Sequence, residues 1–169
     1  MKFKLNREDL LSPLQQVVSV IERRQAMPIL ANVLIVVEGN QLTLTGTDLE
    51  IQLIAKIAVE NAEPGAITVP ARKFLDICKL LPAGADIKFE QQGDKVKIAA
   101  SRSRFTLSCL PAENYPEFAA DKLEHQFVIT AGQLKKALDK TAFCMANNDV
   151  RYYLNGVLLN IGNNKIKLK

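Results

Sequence analysis

Two carboxylates close enough in the chain to share a proton or a cation occur at Asp48 and Glu50, in the run Gly46-Thr47-Asp48-Leu49-Glu50. Such a pair can divide general-acid and general-base duty or chelate a metal, which is what a hydrolase acting on a polysaccharide or nucleotide needs. The same residues fit a plainer role, a turn aspartate bonding its own backbone followed by an outward strand residue. Other chemistry has little material. The one histidine, His125, has no second imidazole with which to build a metal site, and no nucleophile motif beside it. Cys78, Cys109 and Cys144 are odd in number, far apart and without a Cys-x-x-Cys pair, which predicts reduced, structural thiols. Neither Gly-x-x-x-x-Gly-Lys nor Gly-x-Gly-x-x-Gly occurs. The expectation is a protein that binds rather than catalyses, with no cofactor and no metal.

The polar groups that remain are placed for contact. Around a helix beginning at Ala71, Phe74, Cys78 and Leu81 form an apolar stripe, with Arg72, Lys73, Asp76 and Lys79 largely away from it. Farther on, Leu134, Ala137, Leu138 and Thr141 oppose Lys135, Lys136, Asp139 and Lys140. One such helix is ordinarily just a solvated face, but recurrence favours a common basic surface. Arg23-Arg24-Gln25 and Asn147-Asn148-Asp149 each fall between a helix and the next strand, where Arg and Asn can donate to phosphate oxygens. Tyr152 and Tyr153 can stack on bases or line a core or crevice. Arg102 and Arg104 alternate with Ser103 and Phe105, either guarding a strand edge or welcoming an acidic partner edge.

The elements that position these groups are written twice. Phe3, Leu5, Leu10, Leu14, Leu30 and Val33 fall opposite Phe127, Ile129, Leu134, Leu138, Leu154 and Val157 without a gap. The first copy predicts a strand over 2–6, a helix capped by Asn6 to about Ile21 that Pro13 kinks or displaces, and strands over 29–37, 41–45 and 49–59. Strand 67–69, a helix over 71–81 and strands 87–91, 95–99 and 104–109 complete it. The second copy predicts strand 126–130, helix 131–143 and strands 155–161 and 165–168. Residues 111–125 read as a connector. The organisation is therefore a first domain with its connector, 1–124, and an incomplete second domain, 125–169, in an α+β class with two helices per full copy.

Charge follows the same division. The net charge of +4 is not spread evenly: residues 1–124 hold 15 Lys and Arg against 16 Asp and Glu, whereas 125–169 hold 7 against 2. No apolar run approaches the roughly 20 residues that span a bilayer, and the start lacks a signal peptide's apolar centre. The expected location is cytoplasmic.

Taken in order, Leu30-Ala31-Asn32, Leu44-Thr45-Gly46-Thr47-Asp48-Leu49-Glu50, Val69-Pro70-Ala71-Arg72-Lys73-Phe74, Ser103-Arg104-Phe105 and Asp149-Val150-Arg151-Tyr152-Tyr153-Leu154-Asn155-Gly156 resemble the bacterial replicative sliding clamps. The resemblance implies the DNA-clamp fold in a head-to-tail dimeric ring of six domains around duplex DNA, without catalysis. It also implies docking of the replicative polymerase, the clamp loader, other polymerases and repair factors. By motif position it assigns DNA contacts to Arg24, Arg72, Asn148, Tyr152 and Tyr153, part of a partner-peptide pocket to Leu154, and a subunit interface to Lys73, Ile77, Arg102, Arg104 and Phe105. Asn148 is shorter than the glutamine the family pattern suggests. A protein-interaction scaffold that ignores DNA is the rival of a different class.

Overall fold

Alternation in Lys2-Phe3-Lys4-Leu5 buries Phe3 and Leu5 on one side of β1 (Lys2–Asn6) and leaves both lysines in water. The computed structural model describes residues 1–22, 27–116, 126–162 and 165–169, and the chain falls into two compact units, Met1–Ala119 and Ala120–Lys169. In the first, β1 pairs antiparallel with β6 (Asp86–Gln92), which continues through β7 (Lys95–Ala100) to β8 (Ser103–Ser108) in the order β1-β6-β7-β8. Asn6 ends β1 and opens α1 (Arg7–Val18), its side-chain oxygen accepting from the Glu8 N–H. That bond satisfies one of the donors a helix start leaves free. Pro13 lies inside this helix, which begins at Arg7 as expected and ends at Val18, short of Ile21.

The second sheet runs β4 (Gln52–Ala58), β3 (Gln41–Thr47), β2 (Asn32–Glu38), β5 (Gly65–Pro70) and β9 (Leu110–Pro111). A 3-10 helix, Pro28–Ala31, occupies the expected start of β2, and β4 begins at Gln52 because Asp48–Ile51 are taken by a turn. α2 (Ala71–Leu80) follows Pro70 directly, a residue with no N–H for the helix start to leave unpaired. α1 packs on α2, β3 and β4. Phe3 stacks on Phe89 with ring centroids 4.6 Å apart, and Phe74 tilts against Phe89 at 5.8 Å, inside one core that also holds Leu10, Leu14, Ile35 and Leu44. Arg7 joins the helices, its Nε donating to the Cys78 carbonyl at 2.8 Å and an Nη to that of Lys79 at 3.2 Å. Residues 111–115 of the expected connector belong to the first unit. Leu110–Pro111 pairs with β5, and the buried Tyr115 donates its hydroxyl to the Thr45 carbonyl at 3.2 Å.

The second unit repeats the opening. Thr130 caps α3 (Ala131–Asp139) with the backbone angles that Asn6 has 124 positions earlier, φ −73° and ψ 145°, and a 3-10 helix at Tyr152–Asn155 stands opposite Pro28–Ala31 at that same offset. β10 (Leu159–Gly162) and β11 (Lys165–Leu168) form a hairpin. Three expectations fail here. Residues 126–130 form no strand: β1 in the first unit is held by β6, and no described strand pairs with 126–130. α3 ends at Asp139 instead of 143, and Tyr152 and Tyr153 sit on a 3-10 helix, so the strand expected over 155–161 starts only at Leu159. No described residue of this unit is fully buried. Among the described residues, no helix is long and apolar enough to cross a membrane.

Candidate functional site

The Asp48–Glu50 pair is a turn. Asp48 Oδ1 accepts from the Ile51 N–H at 2.7 Å and the Glu50 N–H at 2.9 Å, and the Ile51 bond above all holds its carboxyl below the usual range. Thr47 Oγ1 donates to the Ile51 carbonyl at 2.8 Å and accepts from Leu49, whose φ of 80° completes the bend. Gly46 admits α1: a Cβ there would stand 2.7 Å from the Val17 carbonyl oxygen. The run that looked most catalytic thus serves backbone geometry, and Glu50 points into solvent.

The residues expected to make contacts in the first unit lie around α2 and β8. Arg72, Lys73, Asp76 and Lys79 are all on the exposed side of α2, while Phe74 and Cys78 are buried. Arg72 reaches back to α1, one Nη donating to the Ile21 carbonyl at 2.7 Å. Its guanidinium is therefore anchored beside the segment leading to Arg24, which lies outside the described residues, as does His125. Ile77 is buried in the core and offers little surface itself. β8 is a sheet edge, with Arg104 exposed and Phe105 half-buried against the core; Arg102 is in the turn before the strand rather than on it.

In the second unit a closed loop presents the tyrosines. Asp149 receives two hydrogen bonds from the Arg151 guanidinium, both at 3.0 Å, and a third from the Arg151 N–H at 2.8 Å. Arg151 thereby holds the Asp149 carboxyl below its ordinary pKa. Asn155 completes the loop reciprocally, accepting from the Asp149 N–H at 3.0 Å and donating to its carbonyl at 3.1 Å. Asn148, exposed with φ 57°, sits at the bend. Tyr152 and Tyr153 stand 83% and 69% exposed in an edge-on pair, 6.2 Å between centroids, which is an accessible aromatic surface and not core lining. Beneath them Leu154 helps line a concavity of about 480 Å³ with Cys144, Met145, Val157 and Leu158. α3 turns Lys135, Lys136 and Lys140 to solvent, Lys135 bridging Asp139 at 2.6 Å. Sequence reasoning missed the Asp149–Arg151–Asn155 staple and most of the pocket wall. The only available signal was an Asp with an Arg two residues and an Asn six residues later, which many loops share.

These features define a class: an α+β protein whose helix-on-sheet domain opens a second time at a fixed offset, and whose distinctive residues shape turns, charged faces and a shallow pocket. Residues 1–119 match the model of the DNA polymerase III beta subunit, N-terminal domain. The chain is 51% identical over 170 aligned positions to the beta sliding clamp of Pseudomonas aeruginosa, covering 99% of this chain and 46% of that one. It superposes on a crystal structure of the Pseudomonas aeruginosa DNA polymerase III subunit beta with a TM-score of 0.95 at 50% identity, covering 98% of this chain and 45% of that one. The sliding clamp of Caulobacter crescentus gives 0.92 at 38%, covering 99% and 46%. The chain belongs to the DNA polymerase III beta-subunit family, the bacterial sliding clamps. It spans less than half the length of these relatives.

Proposed function

We infer that this chain supplies the first domain and the opening of the second in a sliding clamp, a non-catalytic, bacterial, cytoplasmic processivity factor of DNA replication. The complete ring is a head-to-tail homodimer that encircles duplex DNA without regard to sequence and tethers the replicative polymerase. The clamp loader, other polymerases and repair factors dock on the same ring, and no membrane is involved. Family membership along nearly the whole chain carries this reading. Arg24, Arg72, Asn148, Tyr152 and Tyr153 are the DNA contacts, Leu154 belongs to the partner-peptide pocket, and Lys73, Ile77, Arg102, Arg104 and Phe105 form the subunit interface. Exposure of the two tyrosines and of Arg72, Lys73, Arg102 and Arg104 supports these roles. Phosphate contacts carry no sequence information, so a ring that relies on them can slide.

The test uses a chain of the relatives' full length, loaded by its clamp loader on nicked circular DNA. Retention in high salt on the circle, with release once the DNA is linearised, is the expected result. Equal retention on both forms would refute encirclement. Arg24→Ala should lower loading and make the salt dependence shallower by about one counterion.

A further inference from the structure

The solvent side of β1-β6-β7-β8 concentrates positive charge that the ring model does not use. Cross-strand pairing sets Lys2, Glu90 and Lys97 in one row and Lys4, Lys88 and Ala99 in the next, with Lys95 on β7 beyond them. Five lysines therefore share this face with three carboxylates, Asp86, Glu90 and, bridged opposite Lys2, Glu63, although residues 1–124 carry slightly more acid than base. Asp86 is engaged by Lys4 at 2.7 Å. Among the described residues, Lys2, Lys88, Lys95 and Lys97 make no ion pair.

Lysines on β1 can be explained as guards against edge pairing, but β6 and β7 are inner strands with no free edge to protect. Moreover, Lys4 stands directly opposite Lys88, a like-charge pairing that works against sheet formation. Half-buried Ala99 is short between these longer neighbours and leaves a concavity of about 540 Å³ rimmed by Lys2, Lys88 and Lys97. Arg104 borders it too, but belongs to the proposed subunit interface.

We propose that this face docks an extended acidic segment of a partner protein, laid along β6 and β7 over Ala99. Alternate residues of an extended peptide lie about 7 Å apart, the same interval that separates Lys95 from Lys97 along their strand. Asp86 and Glu90 interrupt the cationic field, which suits discrete carboxylates better than a continuous phosphate chain. Apart from the bordering Arg104 the cations of the face are lysine point charges, and among the described residues the rings that line the concavity, Phe89 and Phe105, are buried and half-buried rather than exposed for bases to stack on.

The probe is a fluorescent peptide of alternating Glu and Ser, titrated into the 169-residue chain at low ionic strength. Anisotropy gives the affinity and backbone amide shifts give the location. Lys88→Gln with Lys97→Gln should weaken binding about fivefold, and Lys56→Gln with Lys165→Gln, elsewhere on the chain, should leave it unchanged. The expected shifts cluster on β6 and β7. Equal loss in both double variants would overturn the proposal by reducing it to net charge. So would the absence of saturable binding, or tighter binding of a charge-matched oligothymidylate at the same amides, which would make the face a nucleic-acid surface.

Discussion

Replacing Gly46 with alanine should push α1 off β3. The new methyl carbon would meet the Val17 carbonyl oxygen at 2.7 Å, Val17 Cγ1 at 2.8 Å and Ile21 Cδ1 at 3.2 Å, where ordinary contact begins near 3.4 Å. The first of these is a backbone atom and cannot rotate aside, so the helix end must retreat by roughly 0.5–0.7 Å in a close-packed interior. Overpacking of this size costs about 1–3 kcal/mol, offset by about 0.4–1 kcal/mol from the reduced freedom of the unfolded chain. A net loss of about 1–2 kcal/mol follows, or a fall in Tm of about 3–12 °C for a domain of this size. Urea and thermal unfolding measure it, and the methyl resonances of Val17 and Ile21 report the displacement. Retreat of Ile21 also stretches the bond from Arg72 to its carbonyl, so the damage reaches the candidate DNA-contact region. Gly39→Ala is the contrast: nothing lies within 4 Å, and only its φ of +55° penalises a side chain. An unchanged unfolding midpoint in Gly46→Ala, with Ile21 methyls unmoved, would refute the steric account.

Asp48→Ala should cost about 1 kcal/mol by leaving the Glu50 and Ile51 N–H groups without their acceptor. Because the folded pKa of Asp48 lies below its ordinary 3.8, its stabilising contribution is complete above that pH and is lost as acid titrates through the lower folded value. Asp48→Asn should therefore flatten the acid limb of the stability curve, and an identical acid limb would count against this turn. Burial pushes the Cys78 thiol up to about 12 and that of Cys109 to about 11, whereas Cys144 is exposed, so iodoacetamide at pH 8 should rapidly modify Cys144 alone in the folded chain. Rapid labelling of more than one thiol would contradict the burial. Limited proteolysis should cut 126–169 first, since no described side chain there is fully buried; early cleavage within 1–116 would overturn that order.

Most elements of the first unit were legible because alternation and helical periodicity are local signals: β1, α2 and β6 through β8 fall within a residue or two of expectation. What escaped depends on partners distant in sequence. Residues 126–130 repeat the pattern of β1 yet stay unpaired, since a strand forms only where another strand can take its hydrogen bonds. Tyr115 looked like linker because the Thr45 carbonyl that anchors it is 70 positions away. Basic faces on α2 and α3 could be read from spacing, but the bond that ties Arg72 to Ile21 could not. Nor could the burial of Ile77, a matter of how α2 rolls onto the core.

The pairing of β1 with β6 has a consequence for synthesis. Phe3 meets Phe89 only after roughly 85 further residues have been made, and at about 5–20 residues per second on a ribosome the wait is on the order of 4–17 s. During that interval the apolar side of β1 has no partner strand to cover it, although α1 can already pack on β3 and β4, and closing so long a loop is slow even once β6 emerges. The nascent β1 segment is therefore a natural client for a chaperone that holds apolar segments. Release should coincide with emergence of β6 and β7, when Phe3 and Leu5 gain the strand that Phe89 and Ile87 belong to.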